Sequence, residues 1–124
     1  MTGVQTCALP ISLSQGKLQI GLWSSLCSNI AAEIISDSGF DWILLDTEHS
    51  PNEIPDLVTQ LQAVQRGTAT PIIRPAWNDV VLAKRALDIG TQSLLFPYVQ
   101  NVEEAKRAVA STRYPPQEIG RAHV

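Results

Sequence analysis

The sequence predicts an α/β protein, and more specifically the first half of a (β/α)8 TIM barrel with about four βα units. Short apolar runs, which suit strands covered on both faces, alternate with amphipathic helical patterns. The predicted strands begin near residues 17, 42, 70 and 93, at intervals of about 25 residues. No Gly-x-Gly-x-x-Gly turn follows any of them, which disfavours a doubly wound open sheet without excluding it as the alternative.

The first predicted unit is a strand over residues 17–22 followed by a helix over residues 29–38. Gly39 stands where a glycine commonly ends a helix, because it adopts positive φ angles without a steric penalty. The helical spacing predicts an inward face formed by Ile30, Ala31, Ile34 and Ile35.

The second predicted unit is a strand over residues 42–46 followed, after Pro51, by a helix that runs to about Gln65. Asn52 is its predicted N-cap, and Pro55 lies in the first turn, where proline is tolerated. Apolar residues recur along this helix at helical spacing: Ile54, Leu57, Val58, Leu61 and Val64.

Two further units follow, with predicted strands over residues 70–74 and 93–96. Asn78 or Asp79 is expected to cap the helix between them, which ends before Gly90, and Asn101 to cap a last helix through about residue 112. The helix between the two strands is expected to turn four apolar side chains inward, namely Val81, Leu82, Ala86 and Leu87.

Composition narrows the classes of partner and compartment. The formal net charge of −3, without a basic run, argues against nucleic acid or an anionic membrane as a partner. No apolar run approaches the about 18 residues of a membrane span. Outside the N-terminal segment discussed next, Cys27 is the single cysteine, which offers no disulfide and suits a reducing compartment. We therefore expect a cytoplasmic protein.

Both ends of the chain are predicted to be foreign to the protein. The codons CAG ACG TGT GCT CTT CCG ATC encode QTCALPI at residues 5–11, and their reverse complement in a shifted frame leads into IGRAHV at residues 119–124. Such DNA is similar to a sequencing-library adapter, although a natural apolar start and basic tail is the alternative. We expect residues 1–12 and 118–124 to be adapter-derived, residues 13–117 to be the N-terminal half of a barrel domain, and the natural protein to continue further.

Ionisable side chains follow the predicted strands at their carboxyl ends, where α/β folds place active sites. Asp46, Glu48 and His49 follow the second strand, and Arg74 ends the third. Histidine can act as a general base near neutral pH, while arginine can bind a carboxylate or stabilise an oxyanion. The pattern predicts a site for a small anionic substrate, with a salt bridge from Arg74 to Asp46 or Asp79 as the structural alternative.

Five segments also match a known family in order and spacing. They read GLW, GFDWILLDTEHSP, IIRPAWND, LDIGTQSLLFPYVQNVEEA and TRYPP, and they lie between about residues 19 and 117. On these motifs the chain resembles the HpcH/HpaI aldolase family over nearly all of its native residues. The resemblance implies a (β/α)8 barrel, assembly into homohexamers, and class II pyruvate aldolase activity. In that reaction a 4-hydroxy-2-oxo acid is cleaved to pyruvate and an aldehyde, or is formed from them.

The resemblance further implies roles for three residues. His49 of the EHSP motif would be the catalytic base, and Arg74 of IIRPAWND would stabilise the pyruvate enolate. Asp88 of LDIGTQ would raise the basicity of His49. The residues themselves place Asp88 at a helix end on the far side of the sheet, where a solvated carboxylate is the alternative. In the family role it would have to reach its histidine across a subunit boundary or through a bent helix end.

The resemblance implies a divalent metal, Mg²⁺, Mn²⁺ or Co²⁺, held by Glu and Asp side chains from later strands that this chain lacks. Because such a cation would polarise the keto oxygen, we expect the chain alone to be an inactive fragment of an aldolase. The expected partners of the parent protein are a small 2-oxo acid and an aldehyde. The alternatives are an isomerase or hydrolase on the same barrel, a non-catalytic binding or oligomerisation domain, and a fragment without function.

Overall fold

The computed structural model describes residues 8–113. The segment 118–124 and residues 1–7 of the segment 1–12, both predicted to be foreign, lie outside the described residues. The described part contains the following elements in chain order: α1 (Ala8–Ser14), β1 (Gly21–Ser24), α2 (Asn29–Ser36), β2 (Trp42–Asp46), α3 (Ile54–Val64), β3 (Thr70–Arg74), α4 (Val80–Asp88) and α5 (Val102–Ser111). Within it, no helix has both the length and the apolar character needed to cross a membrane.

The sheet of the described region has three parallel strands in the order β1-β2-β3. Each consecutive pair is joined by a helix, which is the connection that parallel neighbours require. The register places Asp46, the last residue of β2, directly beside Arg74, the last residue of β3. The α/β class with a parallel sheet is therefore confirmed, and β2 and β3 have the predicted bounds.

The core lies between the sheet and the helices that cover one of its faces. Strand residues and helix residues form one continuous apolar cluster, which comprises Ala32, Ile43, Leu45, Leu57, Leu61, Val64, Ala69, Ile73 and Ala86. All of β2 from Ile43 to Asp46 is buried. That complete burial explains why β2 reads as a continuous apolar run without alternation.

The first strand begins later than predicted, at Gly21 instead of residue 17. The Ile20 amide donates to a carboxylate oxygen of Asp41 at 2.8 Å, and the Asp41 amide donates to the Ile20 carbonyl at 2.7 Å. These two bonds use the backbone groups of Ile20 that a longer strand would need. Pairing with β2 therefore starts only where Gly21 faces Trp42. A Cβ atom at position 21 would overlap the Trp42 indole, which explains the glycine.

The predicted inward face of α2 is only partly correct, since Ile35 packs against the core as predicted. Ile30 and Ile34 are 65% and 64% exposed, while Ala32 and Ser36 are fully buried. The Ser36 carbonyl accepts the Ala69 amide at 3.1 Å, which fixes the last turn of the helix against the start of β3. This anchor turns the small side chains inward, and the helix ends at Ser36 and not at residue 38.

The predicted N-cap of α3 is also wrong by one residue. Glu53 occupies the N-cap position, and its amide donates to Asp56 Oδ2 at 2.9 Å. Asn52 is instead buried beneath the helix start. The predicted helix itself is confirmed, with Leu57 and Leu61 in the core.

The predicted fourth strand is reduced to a single bridge between Ile73 and Leu94 in the described region. The Ile73 amide donates to Ser93 at 3.0 Å, and the Leu95 amide donates to Ile73 at 2.9 Å. Tyr98 then adopts a φ of 54°, so the chain leaves the extended conformation shortly after the bridge. Of the about four predicted βα units, the described region therefore shows three with full strands, and the fourth strand is represented only by this bridge.

The two last helices begin where the sequence predicts them to begin. Asp79 caps α4 by accepting the Val81 and Leu82 amides at 2.9 and 3.0 Å, and Asn101 caps α5. The predicted inward face of α4 is confirmed at Ala86, which belongs to the core, but Val81 is exposed and the small residue Ala83 is buried instead. Small residues again allow the helix to lie close to the sheet.

Candidate active site

A charged pair joins the carboxyl ends of β2 and β3. Arg74 donates from Nε to Asp46 Oδ1 at 2.8 Å and from Nη2 to Asp46 Oδ2 at 2.7 Å. Only 2% of Asp46 is exposed, so its charge is withdrawn from water and depends on this two-bond partner. The pairing follows directly from the register, because both residues end neighbouring strands and project from the same sheet edge.

Glu48 extends this pair towards His49. Arg74 Nη1 lies 2.8 Å from Glu48 Oε2, and Glu48 Oε1 lies 3.5 Å from His49 Nε2. The His49 side chain is 73% exposed, so it is open to a solute. The structure therefore brings the predicted residues His49 and Arg74 to one edge, with Glu48 between them.

The Arg74 guanidinium also lies over an aromatic ring. Its central carbon is 4.9 Å from the ring centroid of Trp23, which itself packs edge-on against Trp42 at a centroid distance of 6.4 Å. A cation above an indole face is attracted by the ring quadrupole. Arg74 is thus held from below by Trp23 and from the sides by two carboxylates.

These contacts shift the pKa values of Asp46 and Arg74 in opposite directions. Burial by itself raises the pKa of Asp46, but hydrogen bonds from Arg74, from the Glu48 amide and from Trp23, together with the Arg74 charge, bring that pKa below its usual value. The hydrogen bond to Asp46 raises the pKa of Arg74. Both groups are therefore charged at neutral pH.

The backbone between the pair and His49 is fixed by short bonds. Thr47 donates both its amide and its hydroxyl to the Arg74 carbonyl, at 3.0 and 2.7 Å. The Glu48 amide donates to Asp46 Oδ1 at 3.0 Å. Sequence reasoning missed Thr47, because its role depends on which carbonyl the neighbouring strand presents.

Asp88, the third residue with an implied role, lies elsewhere. It is the exposed last residue of α4, and the following residue, Ile89, borders a cavity with Thr70 at the start of β3. The length of β3, about 13 Å for its four residue steps, separates that edge from the edge with Arg74. Within the chain, Asp88 and His49 are therefore not brought together.

The described residues do not fit a divalent cation. Between residues 8 and 113, no group of three or more His, Cys, Asp or Glu side chains comes together in a way that could hold a metal. Asp46 and Glu48, the acids nearest to His49 in the sequence, are both paired with Arg74.

Parallel strands, covering helices and charges collected at the carboxyl edge define a parallel α/β protein of the kind that places its site at that edge. Within this class the chain belongs to the HpcH/HpaI aldolase/citrate lyase family, whose sequence profile matches residues 19–124. The family predicted from the sequence motifs is thereby confirmed.

Three relatives illustrate the similarity. The chain is 53% identical over 108 residues to a protein from Klebsiella pneumoniae subsp. pneumoniae named 4-hydroxy-2-oxo-heptane-1,7-dioate aldolase, which covers 87% of this chain and 41% of that protein. It is 58% identical over 107 residues to a Rhizobium etli protein named pyruvate aldolase, covering 86% of this chain and 42% of that protein. A crystal structure of an HpcH/HpaI family protein from Burkholderia cenocepacia J2315 matches with a TM-score of 0.87 at 35% identity, covering 95% of this chain and 49% of the other. The chain thus spans about two fifths of the length of these curated relatives.

Proposed function

We propose that the whole protein is a class II pyruvate aldolase, which cleaves a 4-hydroxy-2-oxo acid to pyruvate and an aldehyde. The main supporting observation is that an exposed His49 and a tightly paired Arg74 lie on either side of Glu48 at the carboxyl edge of the sheet. The names of the two curated relatives support the reaction class. Within it, 4-hydroxy-2-oxoheptanedioate is the substrate to test first.

In this proposal His49 is the catalytic base. It removes the proton from the C4 hydroxyl while the C3–C4 bond breaks, so that the aldehyde leaves and the electron pair remains on the pyruvate enolate. Its exposure and its distance of 3.5 Å from Glu48 leave the imidazole accessible to the substrate hydroxyl.

Arg74 stabilises the negative charge of the enolate. A guanidinium has five N–H donors, of which two donate to Asp46, while Nη1 forms an ion pair with Glu48. The guanidinium therefore has further donors for the substrate. Because the two carboxylates fix the plane of the guanidinium, the remaining donors are oriented before the substrate binds.

The metal, the remaining barrel and the third implied residue belong to the whole protein. We propose that a divalent cation, which supplies Lewis-acid polarisation of the keto oxygen when bound, is held by residues outside the described part. Asp88 would act on a histidine across a subunit boundary in a homohexamer. Residues 13–117 would form the first half of a (β/α)8 barrel in the cytoplasm, with residues 1–12 and 118–124 of adapter origin. Sequencing the source DNA across both ends tests that assignment. If it is right, the native gene encodes other residues in place of 1–12 and 118–124.

A whole-length chimera tests the proposed reaction. Residues 13–117 replace the matching segment of the Rhizobium etli relative, and pyruvate release from 4-hydroxy-2-oxoheptanedioate is measured with Mg²⁺ or Mn²⁺. We expect activity that chelation abolishes, and we expect His49→Ala to lower kcat by about 100-fold or more. Arg74→Lys should also lower kcat, because lysine has no fork of donors.

The matched control is Arg66→Lys, since Arg66 is exposed in the turn between α3 and β3, at the opposite end of β3 from Arg74. It should leave kcat unchanged. A folded chimera that releases no pyruvate would contradict the proposal and favour the alternative of a non-catalytic binding or oligomerisation domain.

A further inference from the structure

Two buried amide side chains connect α3 to the end of β2. Gln60, which is completely buried on α3, donates from Nε2 to Asn52 Oδ1 at 2.7 Å. Asn52 in turn donates from Nδ2 to the backbone carbonyl of Asp46 at 2.8 Å. The Ser50 hydroxyl donates to the same carbonyl. The Asp46 carbonyl is therefore held by both Ser50 and the chain of amides.

The direction of this chain follows from the chemistry of its end. A carbonyl oxygen only accepts hydrogen bonds, so Asn52 must present its NH₂ group to Asp46 and its oxygen to Gln60. Gln60 must then present its own NH₂ group to Asn52. The hydrogen bonds thus decide which atom of each side-chain amide is the oxygen and which is the nitrogen, for both Asn52 and Gln60.

This orientation leaves one group unsatisfied. Among the described residues, Oε1 of Gln60 has no hydrogen-bond partner although it is buried. A buried acceptor without a partner lowers stability. An apolar side chain of the same shape would remove this acceptor, although it would also take away the donor to Asn52 Oδ1. The core therefore carries a glutamine at a cost, and what the glutamine contributes is its donor to Asn52.

The two hydrogen bonds from Gln60 to Asn52 and from Asn52 to Asp46 constrain the segment that carries His49. The segment begins at Asp46 and ends at Asn52. The hydrogen bond from the Asn52 side chain to the Asp46 carbonyl joins its two ends. Glu48 and His49 lie between the tied ends, and the Asp46 carboxylate on the same residue is bound to Arg74. A shift of the Asp46 carbonyl would therefore move His49 relative to Arg74.

We propose that Asn52 and Gln60 are positioning residues, which hold the Asp46–Asn52 turn so that Glu48 and His49 face Arg74. The proposal rests on the aldolase function proposed above for its catalytic consequence. Neither residue touches the substrate; both act through the Asp46 carbonyl.

The test replaces Gln60 with an apolar residue of similar shape. In the whole-length chimera, Gln60→Met should lower kcat by about 10-fold, because small misplacements of a catalytic group are costly, with a change in KM of less than about 2-fold. Its melting temperature should change little, since the variant removes the unsatisfied Oε1 of Gln60 but leaves Oδ1 of Asn52 without its donor. A purely structural role would give the reverse, a lower melting temperature and an unchanged kcat for the folded protein.

Two further variants sharpen the test. Gln62→Met, on the exposed side of the same helix, is the matched control and should change neither quantity. Combining Asn52→Leu with Gln60→Met should lower kcat no more than Asn52→Leu alone, because both residues act through one carbonyl. Additive losses would contradict the proposal.

A second readout does not depend on activity. Hydrogen–deuterium exchange of the peptide that spans residues 46–52 is measured in the 124-residue chain and in the chimera. Gln60→Met should speed exchange there by about 10-fold, whereas Gln62→Met should not. An inactive parent chimera would overturn the aldolase function and leave the exchange result to decide the positioning role. Unchanged exchange in the Gln60→Met variant would overturn that role.

Discussion

Arg74 is the residue for which the sequence leaves two roles open, salt-bridge partner and substrate ligand. It is the salt-bridge partner of Asp46, and its Nη1 contacts Glu48, the residue that lies 3.5 Å from the exposed His49. The two roles are compatible because a guanidinium offers more donors than the two carboxylates use. A lysine, with a single point of charge, could not serve both.

Removing the arginine should expose how much Asp46 depends on it. Arg74→Met leaves a carboxylate buried and unpaired, so we expect the free energy of unfolding of the whole-length chimera to fall by about 3–5 kcal/mol. Urea denaturation measures this loss. Asp46→Asn should cost less because it removes the buried charge, and Arg107→Met on the exposed face of α5 should change stability by less than about 0.5 kcal/mol. Equal losses for Arg74→Met and Arg107→Met would show that the pair is not needed for stability.

Acid should weaken the same contact. The pKa of Asp46 lies below its ordinary value of 3.8 in the folded protein, so the unfolded chain takes up a proton first as the pH falls. The stabilisation is complete above that ordinary value and is lost progressively as the pH drops below it. Urea denaturation of the chimera between pH 6 and about pH 2.5 should show this loss. The Asp46→Asn variant should show a smaller pH dependence, and an identical dependence in both proteins would refute the assignment.

At the scale of elements, the contact between the end of α2 and the start of β3 determines how α2 packs. The Ser36 carbonyl accepts the amides of Thr68 and Ala69, at 2.9 and 3.1 Å. Gly67 lies so close to Ser36 that an added Cβ atom would meet both its hydroxyl and its backbone carbonyl. Backbone approach at this joint therefore requires glycine.

Gly67→Ala should disrupt this joint. We expect a loss of about 1–3 kcal/mol in the free energy of unfolding, because the backbone of Ser36 must move to admit the methyl group. Thermal and urea denaturation of the chimera measure it. Adding Ser36→Ala to the substitution should not restore stability, since the clash with the backbone carbonyl remains. Full recovery in the double variant would place the conflict at the side chain alone.

Helix and strand positions were predictable to different degrees. The bounds of β2 and β3 and the cap of α5 follow from local signals, namely a continuous apolar run and an asparagine before a helical pattern. The inward face of α2 followed only at Ile35, because the periodicity of Ile30 and Ile34 points to a face that the anchor at Ser36 turns outward. Hydrophobic spacing identifies a helix, whereas its rotation about its own axis depends on what it packs against.

For the whole molecule, we predict that the 124-residue chain alone does not catalyse exchange of the pyruvate methyl protons. Within residues 8–113, no set of side chains is arranged to hold the metal that this enolisation is proposed to need. Exchange is followed by NMR in deuterated buffer with Mg²⁺ or Mn²⁺. Its rate should equal that of the His49→Ala variant, and a clearly faster rate would contradict the prediction.

We also predict that the isolated chain associates in solution. Leu22 and Trp23 are partly exposed on β1, a strand with one unpaired edge in the described region, and Leu26 is exposed in the loop that follows. Unpaired strand edges and exposed apolar side chains promote association. Sedimentation velocity across a range of concentrations should show species larger than a monomer, whereas a monodisperse monomer with a cooperative melt would disprove the prediction.

The sequence by itself determined the α/β class, the family and the strand ends on which Asp46, His49 and Arg74 lie, because these depend on local apolar runs and on motifs contiguous in the chain. Only the tertiary structure decided how those residues interact. It paired Asp46 with Arg74 through the strand register, placed Glu48 between Arg74 and His49, and left Asp88 at the opposite edge. It also revealed that Asn52, which reads as a helix cap, is a buried link to Gln60. Contacts between residues far apart in the chain depend on register and helix rotation, and neither is encoded in any single segment.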